Sequence, residues 1–179
     1  MPTSHLNAFL APFFTKKFVK FCAVGASGVV VNLGILAVLR NFDVRSSYAS
    51  AIAIEVSILT NFIMNEWWTF RDRRHESGFL ARTTRFQVVS HLGALVQWTV
   101  FLLGNLACLW WLSEMTGVTA YLAQGETGLM GTIKHLIVNP PEVGGGIYLS
   151  QLVGIGVATV WNYLANFYWT WKASKPEPA

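Results

Sequence analysis

Charge is scarce in this chain. Asp, Glu, Lys and Arg make up 12% of its 179 residues, against 53% hydrophobic, and the mean hydropathy is +0.43. Water-soluble domains carry about 25% charged residues, so this composition excludes an ordinary water-facing surface. Cysteine is nearly missing too, and Cys22 and Cys108 are the 2 present. They fall near opposite membrane faces in the topology derived below, which argues against a disulfide between them. Neither Cys nor the 4 His stand at metal-ligand spacing, no glycine-rich phosphate loop precedes a helix, and no Ser, His and Asp set points to a hydrolase. The expectation is a protein that is not an enzyme and that holds no metal or other cofactor.

What is present is long apolar runs. They occupy roughly 18–40, 47–70, 86–112 and 148–171, and each exceeds the ~20 residues that span a hydrocarbon core as a helix. The longest remaining segment, 113–147, is too short to bury a core of its own. The fold class expected is an all-α membrane protein with four transmembrane helices.

Charge placement sets the orientation. Of the 13 Lys and Arg, Lys16, Lys17 and Lys20 precede or open the first run, Arg71, Arg73, Arg74, Arg82 and Arg85 lie between the second and third, and Lys172 and Lys175 follow the fourth. Arg40, Arg45 and Lys134 are left for the other side. The positive-inside bias then places both termini and the middle loop in the cytoplasm, as a multi-pass protein of the cytoplasmic (inner) membrane. The net charge of +4 needs no nucleic acid to explain it, because basic residues beside spanning helices face anionic lipid. The N-terminus does not read as a secretory signal, since its basic residues come late and the first run is too long for a signal core.

The chain also repeats itself. NFIMNEWWTFR at 61–71 returns as NYLANFYWTWK at 162–172, pairing Asn61, Asn65, Trp68 and Thr69 with Asn162, Asn166, Trp169 and Thr170. Upstream, KFCAVGASGVVVN at 20–32 matches RFQVVSHLGALVQ at 85–97, pairing Lys20 with Arg85, Phe21 with Phe86, Gly28 with Gly93 and Asn32 with Gln97. Two parallel helical-hairpin repeats follow, related by a pseudo-two-fold axis along the membrane normal. The expected organisation is a cytoplasmic segment 1–17, a transmembrane domain 18–172 and a tail 173–179. Within the domain, repeat one covers 18–71, a cytoplasmic loop 71–85, and repeat two 85–172 with an outer-side insertion at 113–147. The insertion's GLMGTIKHLIV reads equally as a short amphipathic helix on the membrane or as a plain loop.

Polar side chains inside the spans are the candidates for function, because each is expensive in lipid unless it faces protein or water. They are Glu55, His91, Asn32, Gln97, Asn61, Asn65, Asn162 and Asn166. At ~100° per residue, Glu55, Ile58, Phe62, Asn65 and Thr69 share a face, which is expected to turn inward. Depths run from roughly 8 Å for Asn65 and His91 to roughly 22 Å for Glu55, a polar ladder past the midplane. At its foot stand Lys20, Arg71, Arg85 and Lys172, one base at the cytoplasmic end of each helix. A plain reading stands beside this one: the amides as glue between helices, the bases as lipid anchors, and Trp67, Trp68, Trp169 and Trp171 as an interfacial belt.

The hairpin FVKFCAVGASGVVVN, the ending NFIMNEWWTF and their echo in the second half resemble the GtrA-like family of small membrane proteins. That resemblance implies a polyprenyl-phosphate-sugar translocase that moves an undecaprenyl-phosphate-linked sugar across the cytoplasmic membrane for surface polysaccharide synthesis. It implies a membrane glycosyltransferase as partner. The chain departs from the family in the residue after the motif's second Asn, often basic there, which is Glu66 and Phe167 here.

Physically the reading is coherent: bases collect the phosphate, and amides replace water around the sugar. A second reading is a non-transporting accessory subunit or scaffold of that glycosyltransferase. A third, a proton-coupled exporter of cations using Glu55, conflicts with the basic ring at the entrance. Four helices make a small body, so a homodimer or larger homo-oligomer is also expected.

Overall fold

The computed structural model describes residues 13, 15–44, 46–75, 77–125 and 127–172. These residues are all-helical, with no strand among them. α1 (Lys16–Asn41) packs on α2 (Ser46–Met64), α3 (Phe79–Leu122) runs for 44 residues, α4 (Leu129–Val138) is short, and α5 (Gly146–Ala165) follows. α2 and α5 each run on without a break into a π-helical turn, π1 (Asn65–Thr69) and π2 (Asn166–Thr170). Among the described residues, three stretches are long and apolar enough to cross a membrane: Lys16–Leu39, Phe79–Ser113 and Gly146–Thr170. Their outward side chains are greasy, with Val30 73% and Leu152 66% exposed, as a lipid-facing surface requires.

Local chemistry explains the helix ends. α1 stops in a Schellman turn: the Val44 N–H reaches back to the Leu39 carbonyl while Asp43 takes a left-handed φ of 54°. α4 ends at Val138 just ahead of Asn139-Pro140-Pro141, because a proline pushes the residue before it out of helical geometry. So the insertion does contain the short helix. It also begins differently from the sequence reading, because α3 continues through Leu122 and absorbs its first residues. At the other end α3 starts at Phe79, so Arg82 and Arg85 stand on a helix within the segment read as loop.

The chain forms two compact units, Met1–His91 with Asn162–Ala179, and Leu92–Trp161. The first is built on a buried aromatic cluster of Phe21, Phe62, Phe70, Phe86, Tyr163 and Trp171. Its contacts obey the repeat. Phe21 meets Tyr163 at 5.5 Å, and their counterparts Phe86 and Phe62 meet at 5.6 Å. Phe21 lies against Phe70 at 6.4 Å, and Phe86 against Trp171 at 5.7 Å. Each pair adds about 0.5–1.5 kcal/mol beyond the area it buries. Trp171 therefore leaves the interfacial belt expected for it and is fully buried, whereas Trp67, Trp68 and Trp169 stay exposed.

The second unit is held by small residues. Gly146, Ser150, Gly154 and Ala158 recur every fourth position of α5, and this stripe lets the helix approach α3 closely. A Cβ at Gly154 would sit 2.8 Å from the Gln97 carbonyl oxygen, and one at Gly104 would sit 2.8 Å from the Ser150 hydroxyl.

Candidate functional site

Both copies of the motif fold into the same device. At the second Asn the helix widens, so the Phe70 N–H bonds the Asn65 carbonyl at 2.7 Å and the Trp171 N–H bonds the Asn166 carbonyl at 2.9 Å, each spanning five residues. The last carbonyls of a helix lack internal partners. In the first copy the Lys20 ammonium donates to the Trp68 carbonyl at 3.4 Å; in the second Arg85 donates to the Trp169 carbonyl at 3.3 Å. Two sequence-aligned bases thus cap two sequence-aligned carbonyls.

Glu66 is the residue that sequence reasoning set aside. Its carboxylate is buried, paired with Arg82 through both Nε (3.0 Å) and Nη2, and it accepts a third bond from the Trp171 indole at 2.8 Å. A buried carboxylate is tolerable when fully donated to in this way. Arg82 was counted among the loop bases, yet its side chain is only 5% exposed. Arg73 lies over the Phe167 ring at 4.0 Å and donates to the Phe167 and Trp171 carbonyls, tying the segment after π1 to π2. The signal that could have found this network was an acid and a base sixteen positions apart at the ends of adjoining helices, which no helical periodicity connects.

Two hollows open beside the first copy. One, about 510 Å³, is lined by Lys16, Lys17, Lys20, Arg71 and Arg74 together with Trp68, Thr69, Asp72 and His75. It brings together Lys20 and Arg71 as the sequence suggested and adds three further cations, while Arg85 and Lys172 do not line it. Asp72 is its acid, held by Lys17 at 2.6 Å. Burial pushes the Asp72 carboxyl up, but the hydrogen bond and charge of Lys17, its own backbone and Arg73 outweigh this and hold it below the ordinary carboxylate value. The second hollow, about 280 Å³, is lined by Asn32, Ser57 and Asn61 with Gly28 and apolar neighbours. Ser57 donates to the Gly28 carbonyl at 2.8 Å, and a Cβ at Gly28 would force the Asn61 side-chain amide to shift.

The two copies differ in how their polar groups are satisfied. In the second, Thr170 donates to the Asn166 side-chain oxygen at 2.7 Å and the Asn166 amide donates to the Asn162 carbonyl at 2.8 Å. In the first, the Asn61 and Asn65 side-chain oxygens and the Thr69 hydroxyl are buried without a partner. Asn162 likewise keeps an unpaired side-chain oxygen. Repeat one is the copy whose motif hydroxyl is left unpaired, and Thr69, itself buried, is among the residues lining the basic hollow.

The remaining candidates lie elsewhere. Phe62, Asn65 and Thr69 turn inward as the shared face of α2 predicts, but Glu55 is about half exposed. Its carboxylate is bonded to His91 Nε2 at 3.0 Å and to the Gln87 amide at 3.2 Å. Two residues of the polar list, Glu55 and His91, therefore meet with Gln87 on the exposed α2 and α3 surface. Gln97 contributes its backbone carbonyl to the approach of Gly154, and Lys172 is exposed.

A polar motif written twice at helix ends, a basic hollow beside one copy and a greasy exterior agree with one comparison. Residues 20–171 match the family described as GtrA/DPMS, transmembrane domain. The chain belongs to the GtrA/DPMS family. A curated relative, dolichol-phosphate mannosyltransferase from Pyrococcus furiosus, is 40% identical over 85 residues, a stretch covering 48% of this chain and 24% of the relative. The chain thus matches about a quarter of that relative's length. As a GtrA/DPMS domain it is a membrane protein of a family tied to polyprenyl-phosphate sugars. Glu66 stands where the resemblance leads one to expect a base, and Arg82 brings a base to the same point from the neighbouring helix.

Proposed function

We propose that this protein translocates an undecaprenyl-phosphate-linked sugar across the cytoplasmic membrane, without catalysing a covalent step. It would do so as four spanning helices with both termini in the cytoplasm and a membrane glycosyltransferase as the source of its lipid. The observation that carries the proposal is the hollow lined by five Lys and Arg side chains, with Thr69 on its lining, whose buried hydroxyl is unpaired where that of its counterpart Thr170 is bonded. Lys20 and Arg71, with Lys16, Lys17 and Arg74, are the phosphate contacts in this reading, and charge-assisted bonds to phosphate are the strong ones. Asn32 and Asn61 of the neighbouring hollow, then Asn65, offer amides to sugar hydroxyls that are leaving water. Arg85 serves by holding π2, and Lys172 by facing the lipid headgroups. The polyprenyl tail stays in lipid against the apolar exterior.

The test uses the purified chain in sealed liposomes carrying an undecaprenyl-phosphate hexose, scoring the fraction reached by an external modifying reagent. Scrambling by the wild type that is lost in Arg71→Ala and Lys20→Ala, with helicity unchanged, is the expected result. A second reading, an accessory subunit of a glycosyltransferase, is favoured by the relative's name, since there the matched stretch is part of a longer mannosyltransferase chain. Absence of scrambling by folded wild type, together with co-purification of a glycosyltransferase, decides for that reading.

A further inference from the structure

The second unit holds a cavity of its own. It measures about 530 Å³ and lies between α3, α4, the 139–142 segment and the start of α5, with Asn105, Tyr121, Gln124, His135, Asn139 and Glu142 supplying its polar lining. The size falls within the roughly 300–1,000 Å³ of small-molecule pockets. Asn105 is completely buried, and neither its amide nitrogen nor its oxygen has a hydrogen-bond partner. His135 Nε2 is likewise buried and unpaired. Three buried polar atoms without partners, on two residues that line this one cavity, point to a place where a ligand supplies the missing partners.

The chemistry of the lining narrows the ligand. Among the described residues no Lys or Arg lines this cavity, and Glu142 brings a carboxylate, so an anion is disfavoured. A side-chain amide that donates and accepts, an imidazole and a carboxylate are the groups that satisfy neighbouring hydroxyls. The Tyr121 ring, set 4.8 Å from His135 and fixed by its hydroxyl donating to the Asn139 carbonyl at 2.6 Å, gives a rigid apolar wall for C–H groups. We propose that this cavity binds a neutral hexopyranose ring, with Asn105 and His135 bonding its hydroxyls and Tyr121 against its apolar face. In the orientation proposed above the site is on the outer side, where it would receive a sugar after crossing, but binding itself does not depend on transport.

The experiment is saturation-transfer NMR on the full chain in nanodiscs, with methyl hexopyranosides of glucose, mannose and galactose and their N-acetylamino forms as probes. Transfer to at least one glycoside, reduced fivefold or more in Asn105→Leu and in His135→Leu and retained in Arg71→Ala, is the expected result. Glu142→Gln alters an exposed rim residue, so it should also weaken transfer in a chain whose fold is intact even if Asn105→Leu fails to fold. Competition by a short-chain polyprenyl-phosphate hexose in the bilayer assigns the site to the lipid's sugar, and retained transfer without competition assigns it to free glycan. No transfer to any probe from folded wild type, or transfer indifferent to all three pocket variants, overturns the proposal. Loss of scrambling in Arg71→Ala with glycoside binding intact separates this site from the basic hollow.

Discussion

Phe70 and Trp171, which occupy the same place in the two copies of the motif, stack on each other with ring centroids 4.4 Å apart and 12° between their planes. A residue meeting its own counterpart is the contact that a two-fold relation puts on its axis. The stack is possible because each π turn inserts one more residue before the chain leaves the helix, which swings the last aromatic inward. Glu66 of one copy then holds Trp171 of the other by its indole, so the symmetric contact is locked by an asymmetric hydrogen bond.

That lock should dominate stability. Glu66→Leu leaves Arg82 buried without its counter-charge, and breaking such a pair from one side costs about 3–5 kcal/mol. Thermal unfolding in nanodiscs is expected to show a large loss for Glu66→Leu and for Arg82→Met separately. The double variant should recover part of that loss, and strictly additive losses would sink the idea that the two act as a pair.

Two glycines on α1 make a paired test. Gly28→Ala drives a methyl into the Asn61 amide and is expected to destabilise by about 1–3 kcal/mol, as overpacking does. Gly25→Ala meets nothing within 4 Å and should be neutral or slightly stabilising through helix propensity. Equal effects of the two would show that α1 and α2 are not packed as described.

The Asp72 carboxyl, paired with Lys17 in the lining of the basic hollow, is expected to compete with an anionic ligand there. Its folded value is depressed, so its pairing with Lys17 contributes stability that is present above the ordinary carboxylate value and is lost as pH falls through the lower folded one. Asp72→Asn, which removes the acid at every pH, is expected to tighten binding of a fluorescent phospholipid phosphomonoester at neutral pH. Wild type should approach the variant only as pH falls through the depressed folded value of the Asp72 carboxyl, below its ordinary range. Weaker binding by Asp72→Asn would mean that the carboxylate orders the cations more than it competes with the ligand.

Glu55 and His91 should be coupled. His91→Leu leaves the Glu55 carboxylate with Gln87 as its described partner and should lower yield and thermal stability in the membrane. Glu55→Leu/His91→Leu removes both groups and is expected to be less harmful than His91→Leu alone. A double variant worse than either single one would refute the coupling.

Composition and run length together pointed to a helical membrane chain, because lipid admits only helices and closed barrels, and apolar runs of this length exceed the roughly 9–11 residues of a barrel strand. Identity between segments was enough to reveal the repeat, and it correctly paired Phe21 with Phe86 and Lys20 with Arg85, residues that turn out to make matching contacts. The clustering of bases around 16–20 and 71–74 was visible as well, and Lys20 and Arg71 do share a hollow.

Tertiary structure decided the rest. A constant 100° phase carries no sign of a π turn, so the burial of Trp171, the inward Glu66 and the helical Arg82 were illegible. Glu66 takes its partners from the next helix, at Arg82, and from the far end of the chain, at Trp171, and burial of a charge depends on such partners and not on its neighbours in sequence. The same holds for Thr69 and Thr170. The letters around them are nearly alike, yet the bond to Asn166 satisfies Thr170 while the buried Thr69 hydroxyl is left unpaired, because hydrogen bonding is settled by angles and distances that only packing fixes.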